Sequence, residues 1–186
     1  MMRAPLDRSL LEIRDLSAED NEAAARFTCD DEDLDDFLRT DAWRLQEHHV
    51  VQTFVAIYDG ELAGYAAVLV NSVELKPNER KRIALHFNDH PIVPALKVAR
   101  LAVSHGLRST VRGLGEELMR VAYDRAITLS EYAGCRLITV DAYPKSVGFY
   151  EKLGFRLSRA ERYSGQEHPS MWFDVFAESL PAWIIG

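Results

Sequence analysis

The sequence predicts an α/β fold in which strands and helices alternate around a single mixed sheet. Two observations support this prediction. Residues 51–58 and 61–70 are β-rich runs joined by Asp59 and Gly60, a dipeptide that strongly indicates an antiparallel hairpin. Residues 97–140 have the order strand, glycine loop, helix and strand, which is a βαβ unit and requires a parallel pair. A sheet that contains both kinds of pairing is mixed.

The chain has 186 residues, of which 47% are hydrophobic, so it can fill one core and is too short for two ordinary domains. We therefore predict a single domain over residues 1–186. Neither a long apolar run nor a secretory signal is present, which predicts a soluble, cytoplasmic protein. Cys29 and Cys135 are not spaced for a metal, and reduced, packed thiols are their simplest interpretation, with one disulfide as the alternative.

The first quarter of the chain predicts one strand and two helices. Ser9 to Arg14 is a short apolar segment that suits a strand, and Ser17 with Asp20 is close to a capping box that begins a helix. A second helix is predicted from about Asp31 to His48. Its apolar residues recur at steps of three and four: Leu34, Phe37, Leu38, Ala42 and Leu45.

The middle of the chain contains a charged helical piece, PNERKRIALH, followed by Pro91 and Pro94, which force extended backbone. We interpret residues 71–96 as a segment inserted into the domain. The elements predicted after it are a strand at Leu96–Val103, a loop at Ser104–Arg112, a helix at Leu114–Tyr132 ended by Gly134, a strand at Arg136–Val140, a short helix at Lys145–Lys152 ended by Gly154, and strands near Phe155–Leu157 and Met171–Phe176.

The net charge of −7 is unevenly distributed along the chain. Residues 1–96 carry 10 Lys and Arg against 19 Asp and Glu, whereas residues 97–186 carry 12 against 10. The densest acidic run, Asp30 to Asp36, is interpreted as a solvated helix start, with an acceptor-attracting site as the alternative. The basic run Arg80 to Arg82 is interpreted as an exposed helix face, with an RNA contact as the alternative.

Two glycines, Gly113 and Gly115, stand at the predicted start of the long helix. Glycine lets the backbone approach a ligand closely, and the first turn of a helix attracts anions, so a phosphate site is one interpretation and a simple turn is the other. A Walker loop is excluded because Glu116 follows the second glycine, and a Rossmann fingerprint would need glycine at Leu118.

The run TVRGLG at residues 110–115, followed by FYEKLGF at residues 149–155, resembles the GNAT superfamily of acyl-CoA-dependent N-acyltransferases. Thr110 stands where the family motif has Gln or Arg. The segments DEDLDDFLRTDAWR, TFVAIYDGELAGYAAV, HPIVPALKVARLAV and VDAYPKSVGFYEKLGF resemble the branch that contains the tRNA-acetylating toxins. The resemblance implies a single GNAT-like domain with a mixed sheet and helices on both faces, and acetyl-CoA as cosubstrate.

The resemblance also implies roles for particular residues. Tyr150 is the expected general acid for the CoA thiolate, and Tyr143 stands where many relatives have Asn. Backbone amides near Leu101 and Val103 are expected to bind the pantetheine arm and the thioester oxygen. The implied cofactor-binding residues are Leu101, Ala102, Val103, Arg108, Ser109, Thr110, Val111, Arg112, Gly113, Leu114, Gly115 and Tyr143. No metal is implied.

The general base is not assigned by the sequence. Glu117 lies in the first helical turn and is interpreted as a partner of the helix dipole. His86, His90 and His105 could each accept a proton, but a surface role is expected for all three, and a water chain could replace them.

Three functions are compatible with these features. The first is transfer of an acetyl group from acetyl-CoA to a primary amine of a small molecule or peptide, which the acidic front half favours because it would attract a cationic acceptor. The second is a toxin that acetylates the α-amine of aminoacyl-tRNA, which the net charge disfavours. The third is a non-catalytic acyl-CoA-binding module. No membrane partner is expected, and a homodimer is compatible with the sequence.

Overall fold

The computed structural model describes residues 3–85 and 89–185. The chain divides into two compact units. The first unit comprises Met1–Leu69 and Ala99–Met119, and the second comprises Val70–Val98 and Arg120–Gly186. Two long strands and one long helix contribute residues to both units. His86, one of the histidines considered above, lies outside the described residues.

The elements alternate between strands and helices, as predicted. In chain order the first are β1 (Ala4–Pro5), β2 (Leu11–Asp15), α1 (Asn21–Arg26), α2 (Glu32–Asp36), α3 (Ala42–Glu47), β3 (Gln52–Tyr58), β4 (Glu61–Glu74) and α4 (Pro77–Arg82). They are followed by β5 (Ile92–Val103), α5 (His105–Thr110), β6 (Val111–Arg112), α6 (Leu114–Tyr132), β7 (Leu137–Asp141), α7 (Val147–Lys152), β8 (Arg156–Leu157), β9 (Ser170–Asp174) and α8 (Ala182–Ile185).

Seven strands form one sheet in the order β2-β3-β4-β5-β7-β9-β8, and β1 and β6 form a separate parallel pair. Strands β2, β3 and β4 pair antiparallel, β5 pairs parallel with β7, and β9 is antiparallel to both β7 and β8. The mixed α/β class predicted from the sequence is therefore confirmed. The predicted hairpin is confirmed as well, because Asp59 and Gly60 join β3 to β4 with φ values of 51° and 79°.

The helical segment of the first unit differs in one detail from the single helix predicted there. Between α2 and α3 the chain makes a π-helical turn at Phe37–Asp41. Tyr65 from β4 is fully buried against this segment: its ring packs at 6.0 Å from Phe37, and its hydroxyl donates a 2.6 Å hydrogen bond to the Leu34 carbonyl. Such turns are typical of constrained or functional helices.

The second unit has an apolar core that fixes α4 on the sheet. Pro77 occupies the first turn of α4, where its missing N–H costs nothing, and Ile83 just beyond the helix is buried. The core consists of Val73, Leu75, Ile83, Val93, Ala95, Leu137 and Trp172. This packing makes α4 part of the unit.

The proposed insertion at residues 71–96 is narrower than predicted. Strand β4 continues to Glu74 and β5 begins at Ile92, so the connection spans residues 75–91. The two prolines explain the difference, because their extended backbone suits a strand: the Pro91 carbonyl accepts from Leu75 and the Pro94 carbonyl accepts from Arg136, at 2.8 and 2.9 Å.

No helix in the described ranges 3–85 and 89–185 is both long and apolar enough to cross a bilayer. Cys29 and Cys135 are buried free thiols, and burial raises the pKa of the Cys29 thiol to about 12. A thiol with so high a pKa is a poor nucleophile near neutral pH.

Candidate active site

The end of β5 carries Leu101, Ala102 and Val103, three of the predicted cofactor-binding residues. Gly64 of β4 lies directly against this stretch: a Cβ on Gly64 would stand 2.6 Å from the Ala102 carbonyl oxygen and 3.3 Å from the Val103 Cα. The amide of Ser104 donates a 2.8 Å hydrogen bond to the Ala63 carbonyl. Gly64 therefore lets the backbones of β4 and β5 approach more closely than a residue with a side chain would allow. This close approach fixes the position of the end of β5.

The predicted loop at Ser104–Arg112 is wrong in its first part, because residues 105–110 form the helix α5. The side chains of Ser109 and Thr110 donate hydrogen bonds of 2.8 and 3.0 Å to the Gly106 carbonyl, so both hydroxyl groups have a partner inside α5. The amide of Arg108 donates to Ser104 and that of Val111 to Leu107. These two amides already donate hydrogen bonds within the protein. Fewer of the predicted backbone amides are therefore free to bind a pyrophosphate.

Long-range contacts within the first unit hold α5 in place. Asp30 accepts hydrogen bonds from the His105 Nδ1 and from the Arg108 guanidinium, the latter at 2.9 Å. The amide of His105 donates to the Thr28 carbonyl at 2.9 Å, and Arg3 donates to the Arg108 carbonyl at 3.3 Å. His105 is thus a structural partner of Asp30, as expected for a surface histidine.

The start of α6 has the properties of an anion site. Gly113 precedes the helix with a φ of +108°, a conformation that favours glycine, and Leu114 anchors the first turn in the core at 2% exposure. The helix extends for 19 residues, so its first-turn amides carry the positive end of a full helix dipole. The residues predicted here, Gly113, Leu114 and Gly115, therefore fit a bound pyrophosphate.

Charged side chains surround this helix start. Glu117 is paired with Arg8 at 2.9 Å, which agrees with its interpretation as a charge partner at the helix terminus. The Glu116 carboxylate stands over Gly113, with an oxygen 3.5 Å from the position of a Cβ on that glycine. Arg112 is exposed beside it. A bound phosphate would gain from Arg112 and be repelled by Glu116.

Tyr150 belongs to the second unit, where it lies on α7 with only 7% of its surface exposed. Its ring packs edge to face on Phe149 and Phe155, at 5.1 and 5.5 Å. Burial raises the pKa of Tyr150, so the phenol keeps its proton at neutral pH. In the described residues the Tyr150 hydroxyl makes no hydrogen bond, and its oxygen is not fully shielded from solvent. A protonated phenol of this kind can act as a general acid.

Tyr143 stands just after β7, in the same unit as Tyr150. Its ring contacts that of His168 edge to face at 4.6 Å, and the Lys145 ammonium lies 5.4 Å from its centre. No local pattern in the sequence pairs Tyr143 with His168, because His168 lies 25 positions further along the chain.

Most carboxylates of the acidic run at residues 30–36 have a cationic partner inside the first unit. Four of its carboxylates have cationic partners: Asp30 pairs with Arg108, Asp33 with Arg100 at 3.6 Å, and Asp35 and Asp36 with Arg39 at 3.5 and 2.9 Å. Asp35 is buried and also accepts from the Cys29 amide at 2.8 Å. These ion pairs hold the run in place, although three arginines offset only half of its six carboxylates.

The predicted site residues fall into two groups. Leu101 to Val103 and Arg108 to Gly115 lie in the first unit, whereas Tyr143 and Tyr150 lie in the second. Among the residues described, no group of His, Cys, Asp and Glu side chains is placed to hold a metal ion.

Comparison with known proteins identifies the chemistry. The family model of the GNAT acetyltransferases matches residues 10–155. The chain is 29% identical over 140 residues to a tRNA-acetylating toxin of Mycobacterium tuberculosis, which covers 75% of this chain and 81% of that protein.

Solved structures share the fold. A tyrosine-to-phenylalanine variant of KacT superposes with a TM-score of 0.76 at 19% identity, covering 89% of this chain and 95% of that chain. AtaT complexed with an acetyl-methionyl-tRNA superposes with a TM-score of 0.73 at 22% identity, covering 88% and 94%. Another AtaT structure, bound to acetyl-CoA and to the C-terminus of the antitoxin AtaR, gives 0.70 at 20% identity, covering 89% and 94%. With the family model spanning most of its length, the chain belongs to the GNAT family of acetyltransferases.

Proposed function

We propose that this acetyltransferase transfers the acetyl group of acetyl-CoA to the α-amine of an aminoacyl-tRNA. The use of acetyl-CoA follows from the family, and the proposal concerns the identity of the acceptor. The observation that carries the acceptor is the similarity to a tRNA-acetylating toxin over three quarters of the chain. The shared fold with AtaT complexed with an acetyl-methionyl-tRNA supports it.

Bound acetyl-CoA supplies an activated acyl group and a thiolate leaving group. In the first unit, the amides of Leu114 and Gly115 would hold its pyrophosphate, because they lie in the first turn of α6 beside the glycine that opens the approach. The amides near Leu101 and Val103 at the end of β5 would hold the pantetheine arm and polarise the thioester oxygen.

Tyr150 is proposed to protonate the departing thiolate. The supporting property is its burial, which raises its pKa and keeps the proton on the phenol through the neutral range. The proton leaves the hydroxyl as the carbon–sulfur bond breaks, and the incoming amine must be neutral when it attacks. We assign no side chain as the base that deprotonates the amine.

The acidic run gives less support to a small cationic acceptor than its composition indicates. The acidic run that could attract one is paired with Arg39, Arg100 and Arg108 within its own unit. A primary amine of a small molecule or peptide remains the second candidate, because the chain as a whole carries a net charge of −7. A module that binds acyl-CoA without turnover is the third.

Product identification tests the proposal. The enzyme is incubated with acetyl-CoA and a fully charged tRNA pool, the ester bond to the tRNA is hydrolysed, and the released amino acids are analysed by mass. We expect N-acetyl amino acids with the wild type and a strong reduction with Tyr150→Phe. Acetylation of polyamines or peptides without any acetylated amino acid from tRNA would move the acceptor to the second candidate, and bound acetyl-CoA without transfer would support the third.

A further inference from the structure

Most of the seventeen arginines already have a partner inside the protein. Through their side chains, four arginines form no ion pair, hydrogen bond or ring contact with the residues that the structure describes: Arg82, Arg112, Arg156 and Arg159. Arg112 lies at the start of α6. The other three line one groove of the second unit, with a volume of about 480 Å³. Unpaired guanidinium groups are therefore concentrated at one place.

This arginine groove, lined by Arg82, Arg156 and Arg159, is built from parts of the chain that are far apart in sequence. Arg82 ends α4, Arg156 belongs to β8, and Arg159 follows that strand. All three side chains are exposed, so their charges are accessible to a ligand. Leu157, also exposed at 44%, adds an apolar side chain to the lining.

A buried carboxylate fixes the shape of the groove. Glu79 of α4 is 4% exposed and accepts three N–H donors: the Lys76 amide at 2.8 Å, the Arg159 amide at 3.2 Å and the Trp172 indole at 3.2 Å. This junction ties α4 to β9 and to the segment after β8, and so places the backbone of Arg159 near Arg82. Three N–H donors therefore satisfy this buried carboxylate within the protein.

The exposed charges around the groove are mainly positive. The lining contains one exposed carboxylate, Glu151, and three exposed arginines. The exposed lysines Lys81 and Lys152 are the sequence neighbours of the lining residues Arg82 and Glu151. Guanidinium groups bind phosphate oxygens in a bidentate manner and are more weakly hydrated than ammonium groups. A protein with a net charge of −7 needs such a local concentration of positive charge to bind a polyanion.

We propose that the arginine groove binds phosphate groups of the RNA acceptor. The proposal rests on the proposed function, since it names the surface through which an aminoacyl-tRNA would be held. Each arginine would neutralise one phosphate of the RNA backbone, and the ribose would lie on Leu157. Such contacts position the RNA and do not read its bases.

Binding of uncharged tRNA, measured by fluorescence anisotropy over a range of salt concentrations, tests the groove. Arg156→Gln with Arg159→Gln removes two groove charges. Arg26→Gln with Arg44→Gln is the matched control, because these exposed arginines also carry two charges and pair with Glu22 and Asp41 in the first unit. We expect the groove variant to lose about tenfold in affinity and its salt slope to become shallower by roughly 1.5, one phosphate contact per arginine.

Two further measurements separate the possible outcomes. Arg156→Lys with Arg159→Lys keeps the charge and should retain the salt slope of the wild type, while the control should stay within about twofold of wild-type affinity. Equal affinities for the groove and control variants would overturn the proposal. A loss of affinity for poly-glutamate without a loss for tRNA would also overturn it and assign the groove to an acidic protein.

The acetylation assay tells the failure of this proposal apart from that of the proposed function. If the wild type acetylates aminoacyl-tRNA and the groove variant is as active as the control at low tRNA concentration, the groove assignment alone is wrong. If the wild type binds tRNA through the groove and acetylates only other amines, the groove stands and the proposed function is wrong. A wild type that neither binds nor acetylates tRNA contradicts both.

Discussion

The two units of the molecule differ in charge and in the groups they present to an anion. The first unit has 9 Lys and Arg against 18 Asp and Glu, a net charge of −9, whereas the second has 13 against 11, a net charge of +2. The first contains the glycine-led helix start at which we propose that the CoA pyrophosphate binds, and the second contains Tyr150 and the exposed arginines of the groove. The negative net charge of the whole chain comes from the first unit, so it argues against RNA binding at that unit and not at the second.

The two units should respond differently to mutation, because their proposed sites are made of different groups. A site made of backbone amides depends on backbone conformation and tolerates the loss of side chains around it. A site made of side chains is removed by deleting single functional groups while the fold remains. Substitutions in the two units should therefore separate binding of the nucleotide half of CoA from the chemical step.

The largest effect is expected at Tyr150 in the second unit. Tyr150→Phe keeps the ring contacts with Phe149 and Phe155 but removes the hydroxyl, so single-turnover acetyl transfer should fall by about 10²-fold with acetyl-CoA affinity unchanged. Tyr132→Phe on α6 is the matched control, because its ring is 84% exposed. A wild-type rate for Tyr150→Phe would remove the phenol from the mechanism.

The raised pKa of Tyr150 also predicts a pH dependence. Burial disfavours the phenolate, so the folded pKa lies above the ordinary value of 10 and the acid stays protonated throughout the neutral range. The wild-type single-turnover rate should show no loss from this group as the pH rises to about 10, and a loss only above it. A descending limb centred near pH 7 that disappears in Tyr150→Phe would contradict the pKa assignment.

The next largest effect is expected at Gly113 in the first unit. Its φ of +108° is strained for a residue with a side chain, so Gly113→Val should distort the start of α6 and weaken binding of adenosine 3′-phosphate 5′-diphosphate, the nucleotide half of CoA, by about tenfold or more. Stability should also fall, by about 1–2 kcal/mol. Gly165→Val is the control, since Gly165 has a φ of +73° in an exposed loop of the second unit. Calorimetry that finds equal nucleotide affinity in both variants would reject the phosphate assignment.

A smaller effect is expected at Gly64, which should separate the two halves of the cosubstrate. In Gly64→Ala the new methyl group would stand 2.6 Å from the Ala102 carbonyl, so the end of β5 must move, at a cost of about 1–3 kcal/mol in stability. Acetyl-CoA should bind several-fold more weakly while the nucleotide half binds normally. Gly134→Ala is the control, because its methyl group would meet Pro94 at an ordinary 3.5 Å. Equal weakening of both ligands would indicate only a general structural role.

The smallest effect is expected at Glu116, whose carboxylate stands over Gly113. Glu116→Gln removes a negative charge beside the proposed pyrophosphate site and should strengthen acetyl-CoA binding by roughly two- to fivefold at low salt, with the gain shrinking as salt is added. Glu131→Gln near the other end of α6 serves as the control. Weaker binding in Glu116→Gln would place the phosphates elsewhere.

Local signals account for the parts of the molecule that the sequence predicts well. Helix α6 matches its predicted bounds, because Gly113 before it and Gly134 after it are signals at the helix termini themselves. The β3–β4 hairpin follows from its two turn residues in the same way. The interpretation of the glycine loop as a phosphate site depends on signals of the same kind, since all of its groups are neighbours in the chain, and it stays a prediction.

Long-range contacts account for the parts that were missed. Helix α5 was predicted as a loop, because Asp30 and Thr28, which hold it, lie more than seventy residues earlier. The arginine groove brings Arg82 together with Arg156 and Arg159. The basic run at Arg80 to Arg82 does not indicate that two further arginines, more than seventy positions later, lie beside it. The partners of the acidic run, Arg39, Arg100 and Arg108, are likewise identified only by the fold.

A competition for limiting acetyl-CoA tests the central claim most directly. Enzyme in excess is mixed with labelled acetyl-CoA and equal concentrations of charged tRNA, spermidine and a short peptide with a free amino terminus, and the label in each acceptor is counted after one turnover. The account predicts that nearly all of the label is found on the α-amine of the aminoacyl-tRNA and that Tyr150→Phe transfers little to any acceptor. Label found mainly on spermidine or on the peptide would contradict it.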